Sequence, residues 1–190
     1  MEDEMKTVKV AGKAQRDAKK KQVVEALNTA RSMELHGIHQ YMNQHYNLDN
    51  LDYGELAAKM KLIAIDEMRH AEAFAERIKE LGGEPTTEQA AKVEKNQKVN
   101  AIYPFDANLE DETIAVYNEF LKLCLDNGDS ITAKLFETII KEEQIHFNYF
   151  DNVGEHLKTL GASYLARIAG TPAEVGAVSP GFVGTPGGAA

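Results

Sequence analysis

The chain has a single cysteine, Cys124, among 190 residues. No intrachain disulfide can form, and a cysteine-rich zinc or iron–sulfur site is excluded. Tryptophan is absent and aromatics make up only 7% of the chain. No apolar run approaches the roughly 18 residues of a membrane span. The N-terminal Met-Glu-Asp-Glu-Met is not followed by the apolar stretch of a secretory signal. Basic charge is also scarce: 21 Lys and Arg face 30 Asp and Glu, a formal net charge of −9. Nucleic-acid binding needs positive charge to neutralise phosphates, so it is not expected. The expectation is a soluble cytoplasmic protein without membrane or nucleic-acid partners.

What is present is helical periodicity. Residues 1–20 are rich in charge without an apolar period and read as a solvated extension. From Val23 a stripe runs through Leu27, Ala30, Glu34, Ile38 and Tyr41. After a turn at Asn47–Asp52 comes a second, with Leu56, Met60, Ile63, Glu67, His70, Phe74 and Ile78. Gly82 to Pro85 ends it. Residues 82–107 carry no period, and Pro104 and Asp106 read as the approach to a third helix with Glu110, Ile114, Tyr117, Leu121 and Cys124. A turn at Asn127–Asp129 leads to a fourth stripe: Leu135, Ile139, Glu143, His146, Phe150, Val153 and Leu157. Ala162–Ala169 reads as a short fifth helix. Residues 170–190 hold six Gly and three Pro and read as a flexible tail. The long second connection, between the second and third helices, can return the chain along the bundle. The prediction is therefore an all-α, ferritin-like four-helix bundle with one long crossover, its domain spanning residues 21–169.

Each stripe is interrupted by a carboxylate where Leu or Ile would fit. Buried carboxylates cost several kcal/mol and repel one another. Two divalent cations balance four carboxylates and two neutral imidazoles. The set also repeats: Glu34, Tyr41, Glu67 and His70 recur 76 residues later as Glu110, Tyr117, Glu143 and His146. Two helix pairs related by an approximate two-fold axis follow. Each would supply two carboxylates and one imidazole, a set known in di-iron carboxylate bundles. Glu67 and Glu143, one turn from their histidines, are placed to bridge. Glu34 with His70 and Glu110 with His146 would complete the two shells. Oxygen-rich ligation with one imidazole per ion suits iron or manganese. Tyr41 and Tyr117 read as core tyrosines bonded to ligand carboxylates, or as electron donors. Asp66 and Glu142 read as outer partners of the site or as solvated charges. His36, His39 and His45 read as surface or interface residues, and Cys124 as a small core residue.

The segments MELHGIHQY, IDEMRHAE, NLEDE and EEQIH, in this order and spacing, resemble bacterioferritin over about residues 23–169. The resemblance implies a ferroxidase centre with Glu34, Glu67, His70, Glu110, Glu143 and His146 as ligands. It implies a cage of 24 subunits that stores ferric mineral, oxidising Fe(II) with O2 or peroxide. A small electron-transfer protein is a possible partner. It further implies haem held between two subunits by Met68, on a helix face with Ala64, Ala71 and Ala75. Two histidines at the centre fit bacterioferritin better than eukaryotic-type ferritins. One departure is Leu62, where bacterioferritins often carry a histidine of an inner-surface iron site.

The rival readings are a di-iron peroxidase or oxygenase of lower oligomeric state, a DNA-shielding mini-ferritin, and a purely structural bundle. A single cysteine excludes the rubredoxin domain of a rubrerythrin. Mini-ferritins place their ligands between subunits, whereas this repeat places a full set in one chain. Buried charge disfavours the structural bundle.

Overall fold

The computed structural model describes residues 2–174, with side chains from residue 12 onward. Five helices follow in order: α1 (Glu2–Asn50), α2 (Gly54–Glu80), α3 (Val99–Asp126), α4 (Ser130–Leu160) and α5 (Ala162–Ile168). Helix α1 packs on α2 and α3 on α4. Residues 81–98 cross over between the two pairs. The expected all-α bundle with one long crossover and a short fifth helix is what the chain forms.

Three boundaries differ from those read in the sequence. Helix α1 starts at Glu2, so the charged extension is helical. Charged residues such as Lys and Glu are good helix formers, and the helix continues outward from a well-packed segment. The turn after α1 is shorter, with Asp52 at φ 65° and Tyr53 preceding α2 without a side-chain cap. Helix α3 starts at Val99, so Pro104 lies inside it. Burial of Ile102 and Tyr103, at 1% and 0% exposure, offsets the hydrogen bond that proline cannot donate. Gly154 of α4 faces this turn, and an added Cβ would lie 3.8 Å from Tyr103 Cβ.

Of the Gly- and Pro-rich tail, residues 175–190 lie outside the described residues. Residues before them pack on the start of α2. Glu55 N donates to Thr171 Oγ1 at 2.9 Å, and Gly170 N to Asp52 O at 2.9 Å. A Cβ on Gly54 would come within 2.0 Å of Thr171 O.

The crossover is fixed to α1 by polar side chains. Asn28 pairs with the backbone of Glu84 and Thr86. Gln40 pairs with both backbone groups of Glu94, at 3.1 and 2.8 Å. Two apolar clusters form the core. One gathers Leu48, Leu56, Met60, Ile102 and Phe150. The other gathers Leu27, Phe74, Ile78, Cys124 and Phe136. The interrupting carboxylates lie between these clusters along the bundle.

Candidate metal centre

The four helices each contribute one carboxylate at the same level of the bundle. Glu34, Glu67, Glu110 and Glu143 are 3%, 2%, 2% and 0% exposed. His70 and His146 are buried beside them. The helical i, i+3 spacing sets each imidazole over its own glutamate: Nδ1 lies 3.0 Å from Glu67 Oε2 in one pair and 3.0 Å from Glu143 Oε2 in the other. Each imidazole also meets the other pair's glutamate. His70 Nδ1 is 3.1 Å from Glu143 Oε1, and His146 Nδ1 is 3.2 Å from Glu67 Oε1.

Two groups of potential ligands result. Glu34, Glu67, His70 and Glu143 each offer an atom within 4.8 Å of the others, as do Glu67, Glu110, Glu143 and His146. Glu67 and Glu143 belong to both groups, as expected of bridging carboxylates. The six side chains singled out by the repeat come together.

The electrostatics are strained in the way a cation would relieve. Burial, then the charge of Glu143, raises the Glu34 pKa. Burial, then Glu67 and Glu143, raises that of Glu110 well above the usual range. Burial disfavours the charged form of His146, but hydrogen bonds to Glu143 and Glu67 prevail and push its pKa up to about 10. The same competition raises that of His70. A divalent ion at each Nδ1 would take the place of those protons. Buried Glu67 Oε1 and Glu143 Oε1 approach the other half's imidazole at 3.2 and 3.1 Å but make no well-aligned hydrogen bond. Two unsatisfied carboxylate oxygens facing imidazole nitrogens suit a pair of hard or borderline cations.

Partners outside the six follow the two-fold pattern, crossing between halves. Tyr41 Oη donates to Glu110 Oε1 at 2.5 Å, and Tyr117 Oη donates to Glu34 Oε1. His70 Nε2 pairs with Glu142 Oε2 at 2.9 Å, while His146 Nε2 is 3.7 Å from Asp66 Oδ2. Glu142 is thus an outer partner of the site. Asp66 is closer to Arg69, at 2.6 Å.

A cavity of about 210 Å³ reaches Glu34, Glu67, Glu110 and Glu143 from the crossover side, past Ala90 and Ala91. Gly37 lines it, and a Cβ there would lie 3.4 Å from Glu67 Cγ. A second cavity of about 420 Å³ lies between α2 and α4, lined by Leu62, Asp66, Glu142 and His146.

Other expectations are corrected. His36 and His45 are buried, at 5% and 8% exposure, and His45 Nδ1 pairs with Ala57 O at 2.8 Å. Of these three histidines His39 alone is exposed, pairing with Gln89 at 2.8 Å. Of the alanines grouped with Met68, Ala64 and Ala71 are buried and Ala75 is half-buried. Met68 itself is 54% exposed. The sequence reading missed Asp106, Gln40 and Gln44, all fully buried. Asp106 lies four residues before Glu110, so same-face spacing could have found it.

A ferritin-like domain model matches residues 24–160. The bacterioferritin of Desulfovibrio desulfuricans is 64% identical over 168 residues, covering 88% of this chain and 94% of the relative. An X-ray structure of that protein, concerned with its di-iron site in different catalytic states, matches with a TM-score of 0.87 over 88% of this chain and 98% of that one. The bacterioferritin of Mycobacterium avium is 32% identical over 152 residues, 80% of this chain and 96% of the relative. The structure of a Mycobacterium tuberculosis bacterioferritin matches with a TM-score of 0.74 at 29% identity, covering 78% of this chain and 94% of that one. Carboxylates crossed between two repeated helix pairs and relatives of this closeness lead to one conclusion: the chain belongs to the bacterioferritins, within the ferritin-like family.

Proposed function

We propose that this protein stores and detoxifies iron, oxidising Fe(II) at an intrasubunit ferroxidase centre and depositing ferric mineral inside a homo-oligomeric cage. The carrying observation is that Glu67 and Glu143 are shared by two buried ligand groups. Glu34, Glu67, His70 and Glu143 would hold one ion; Glu110, Glu67, Glu143 and His146 would hold the other. Two adjacent irons supply two electrons to one molecule of oxidant, O2 or peroxide.

The chain's own groups prepare this chemistry. The buried carboxylates favour cations over anions and concentrate Fe(II) in the centre. Tyr41 and Tyr117 fix the orientation of Glu110 and Glu34 through hydrogen bonds across the halves. Glu142 holds the His70 ring so that Nδ1 faces the carboxylates. The apolar cluster of Leu27, Phe74 and Phe136 closes one end of the centre, and the cavity past Ala90 and Ala91 gives access from the crossover side.

The reading extends to a cage of 24 subunits in the cytoplasm, built from two-fold dimers, and to reductive release assisted by a small electron-transfer protein. Exposed Met68 offers a soft thioether to a haem shared between two subunits. The domain spans residues 21–169, with 1–20 as a helical charged extension and 170–190 as a tail. Oxidation within a di-iron peroxidase or oxygenase of lower oligomeric state is the alternative.

Size-exclusion chromatography with iron counting separates the two. A particle of about 24 chains that takes up far more than two irons per chain is expected. A stable monomer or dimer saturating at two irons per chain would refute storage.

A further inference from the structure

The ligands and their tyrosine partners obey the 76-residue repeat, but the residues one turn further out do not. One helical turn from the Tyr41–Glu110 hydrogen bond, Gln44 Nε2 of α1 donates to Asp106 Oδ1 of α3 at 2.7 Å. Both residues are fully buried. The repeat places Phe120 opposite Gln44 and Ala30 opposite Asp106. The tyrosine at 103 has Leu27 as its counterpart, and the tyrosine at 149 has Ala73. One side of the centre is therefore polar and the other apolar.

The polar side is also unfinished. Asp106 Oδ2, Gln44 Oε1, Tyr103 Oη and Tyr149 Oη are buried atoms without a protein partner. Buried polar atoms of this kind gather internal water. Gln44 Nε2 also reaches Gln97 Oε1 at 2.9 Å, and Gln97 lies on the partly exposed crossover. The cluster thus runs from the turn beside Glu110 toward the surface. A lone carboxylate buried with one amide donor and no cation is more stable neutral than charged. Burial accordingly raises the pKa of Asp106 well above the usual range, against the opposing bond from Gln44. The titratable groups coupled to it are Tyr41 from α1, Tyr103 from α3 and Tyr149 from α4.

We propose that Asp106, held by Gln44, is a proton reservoir serving the Tyr41–Glu110 side of the ferroxidase centre. The inference rests on the ferroxidase reading. Two Fe(II) each lose one electron, and the oxidant gains both electrons with two protons. Dioxygen becomes hydrogen peroxide; peroxide becomes two waters. Asp106 gives one of the two protons and solvent gives the other. The Asp106 carboxylate then regains a proton from solvent through the polar cluster. The ligand carboxylates cannot fill this role, because holding cations leaves them no proton, and an imidazole bound through Nδ1 keeps only a weakly acidic Nε2 proton, which for His70 faces Glu142 and not the oxidant.

Asp106 is the only buried aspartate among the described residues, which makes it addressable by isotope. In wild-type protein labelled with ¹³C-aspartate and freed of metal, infrared spectra at neutral pH should show a carboxylic-acid C=O band that shifts on labelling. The band should be missing in Asp106→Asn. During Fe(II) oxidation by the wild type it should bleach and recover. Absence of the band at neutral pH in the wild type would overturn the proposal, whether or not the variant folds. In Asp106→Asn, Fe(II) binding should persist while first-turnover oxidation slows by about tenfold, below the range for direct general acids. Its pH profile should also change shape. An unchanged rate and profile would likewise overturn the proposal. If wild-type protein binds iron but does not oxidise it, the ferroxidase reading fails instead, and the metal-free band remains as a separate result.

Discussion

Replacing Glu110 by Gln should stabilise the metal-free protein while weakening its hold on metal. Glu110 is 2% exposed and accepts one hydrogen bond, from Tyr41. Its charge is opposed by burial and by Glu67 and Glu143. An amide has the same shape, and its oxygen still accepts from Tyr41. The variant removes one buried charge without leaving Tyr41 unpaired, a gain of about 1–3 kcal/mol at neutral pH. The sign follows from the raised pKa. Protonated Glu110 is no burden below its unfolded value, so parent and variant should match in acid. As pH rises above about 4.5, the ordinary value, the parent loses stability until the folded group has titrated. Metal reverses the order, because the amide is a poor ligand. Saturating metal at about 100 times Kd adds about 2.7 kcal/mol to the parent and less to the variant. Urea denaturation from pH 4.5 to 8, with chelator and with a non-oxidisable divalent ion, measures both effects. A variant less stable than the parent at pH 7.5 in chelator would refute the claim that Glu110 is poised for a cation.

Three further outcomes follow. Asp129→Ala should cost about 1–2 kcal/mol in urea denaturation, because Asp129 caps α4 through Thr132 and pairs with Arg77 at 2.9 Å. Burial opposes the Asp129 charge, but bonds from Thr132 and Arg77 lower its pKa. Its contribution should therefore be present above the ordinary carboxylate range and fade as pH falls through the folded value. Met68→Leu should keep the cage and first-turnover oxidation but lose the haem absorbance; an unchanged haem spectrum would return Met68 to packing alone. Tyr41→Phe leaves Glu110 without its hydrogen bond and should loosen the metal beside His146 more than its neighbour, seen as two unequal steps in a metal titration.

The centre was legible in the sequence because charge in a core stripe has few explanations, and because the repeat doubled the signal. Glu67 and His70 share a helix face by spacing alone, and the offset to Glu143 and His146 gave the two-fold relation. The start of α3 was hidden by Pro104, whose local cost is overridden by burying Ile102 and Tyr103, a tertiary fact. His36 and His45 read as surface or interface residues, and Gln40 and Gln44 drew no reading, because their cover is largely other segments. The crossover closes over Gln40, and Asp106 and Gln97 meet Gln44. Asp106 carried the right spacing but was read as an approach to a helix that had already begun. The pairing of Arg77 with Asp129 joins two helices, so no local pattern announces it.

The central claim is that Glu67 and Glu143 each serve both metals while each histidine serves one. Anaerobic Fe(II) titration of wild type, Glu67→Ala, Glu143→Ala, His70→Ala and His146→Ala, followed by stopped-flow oxidation, tests it directly. The wild type should bind two tight Fe(II) per chain. Either glutamate variant should lose both tight sites and fast oxidation, whereas either histidine variant should retain about one tight site. Two tight sites and wild-type oxidation in Glu67→Ala would contradict the account.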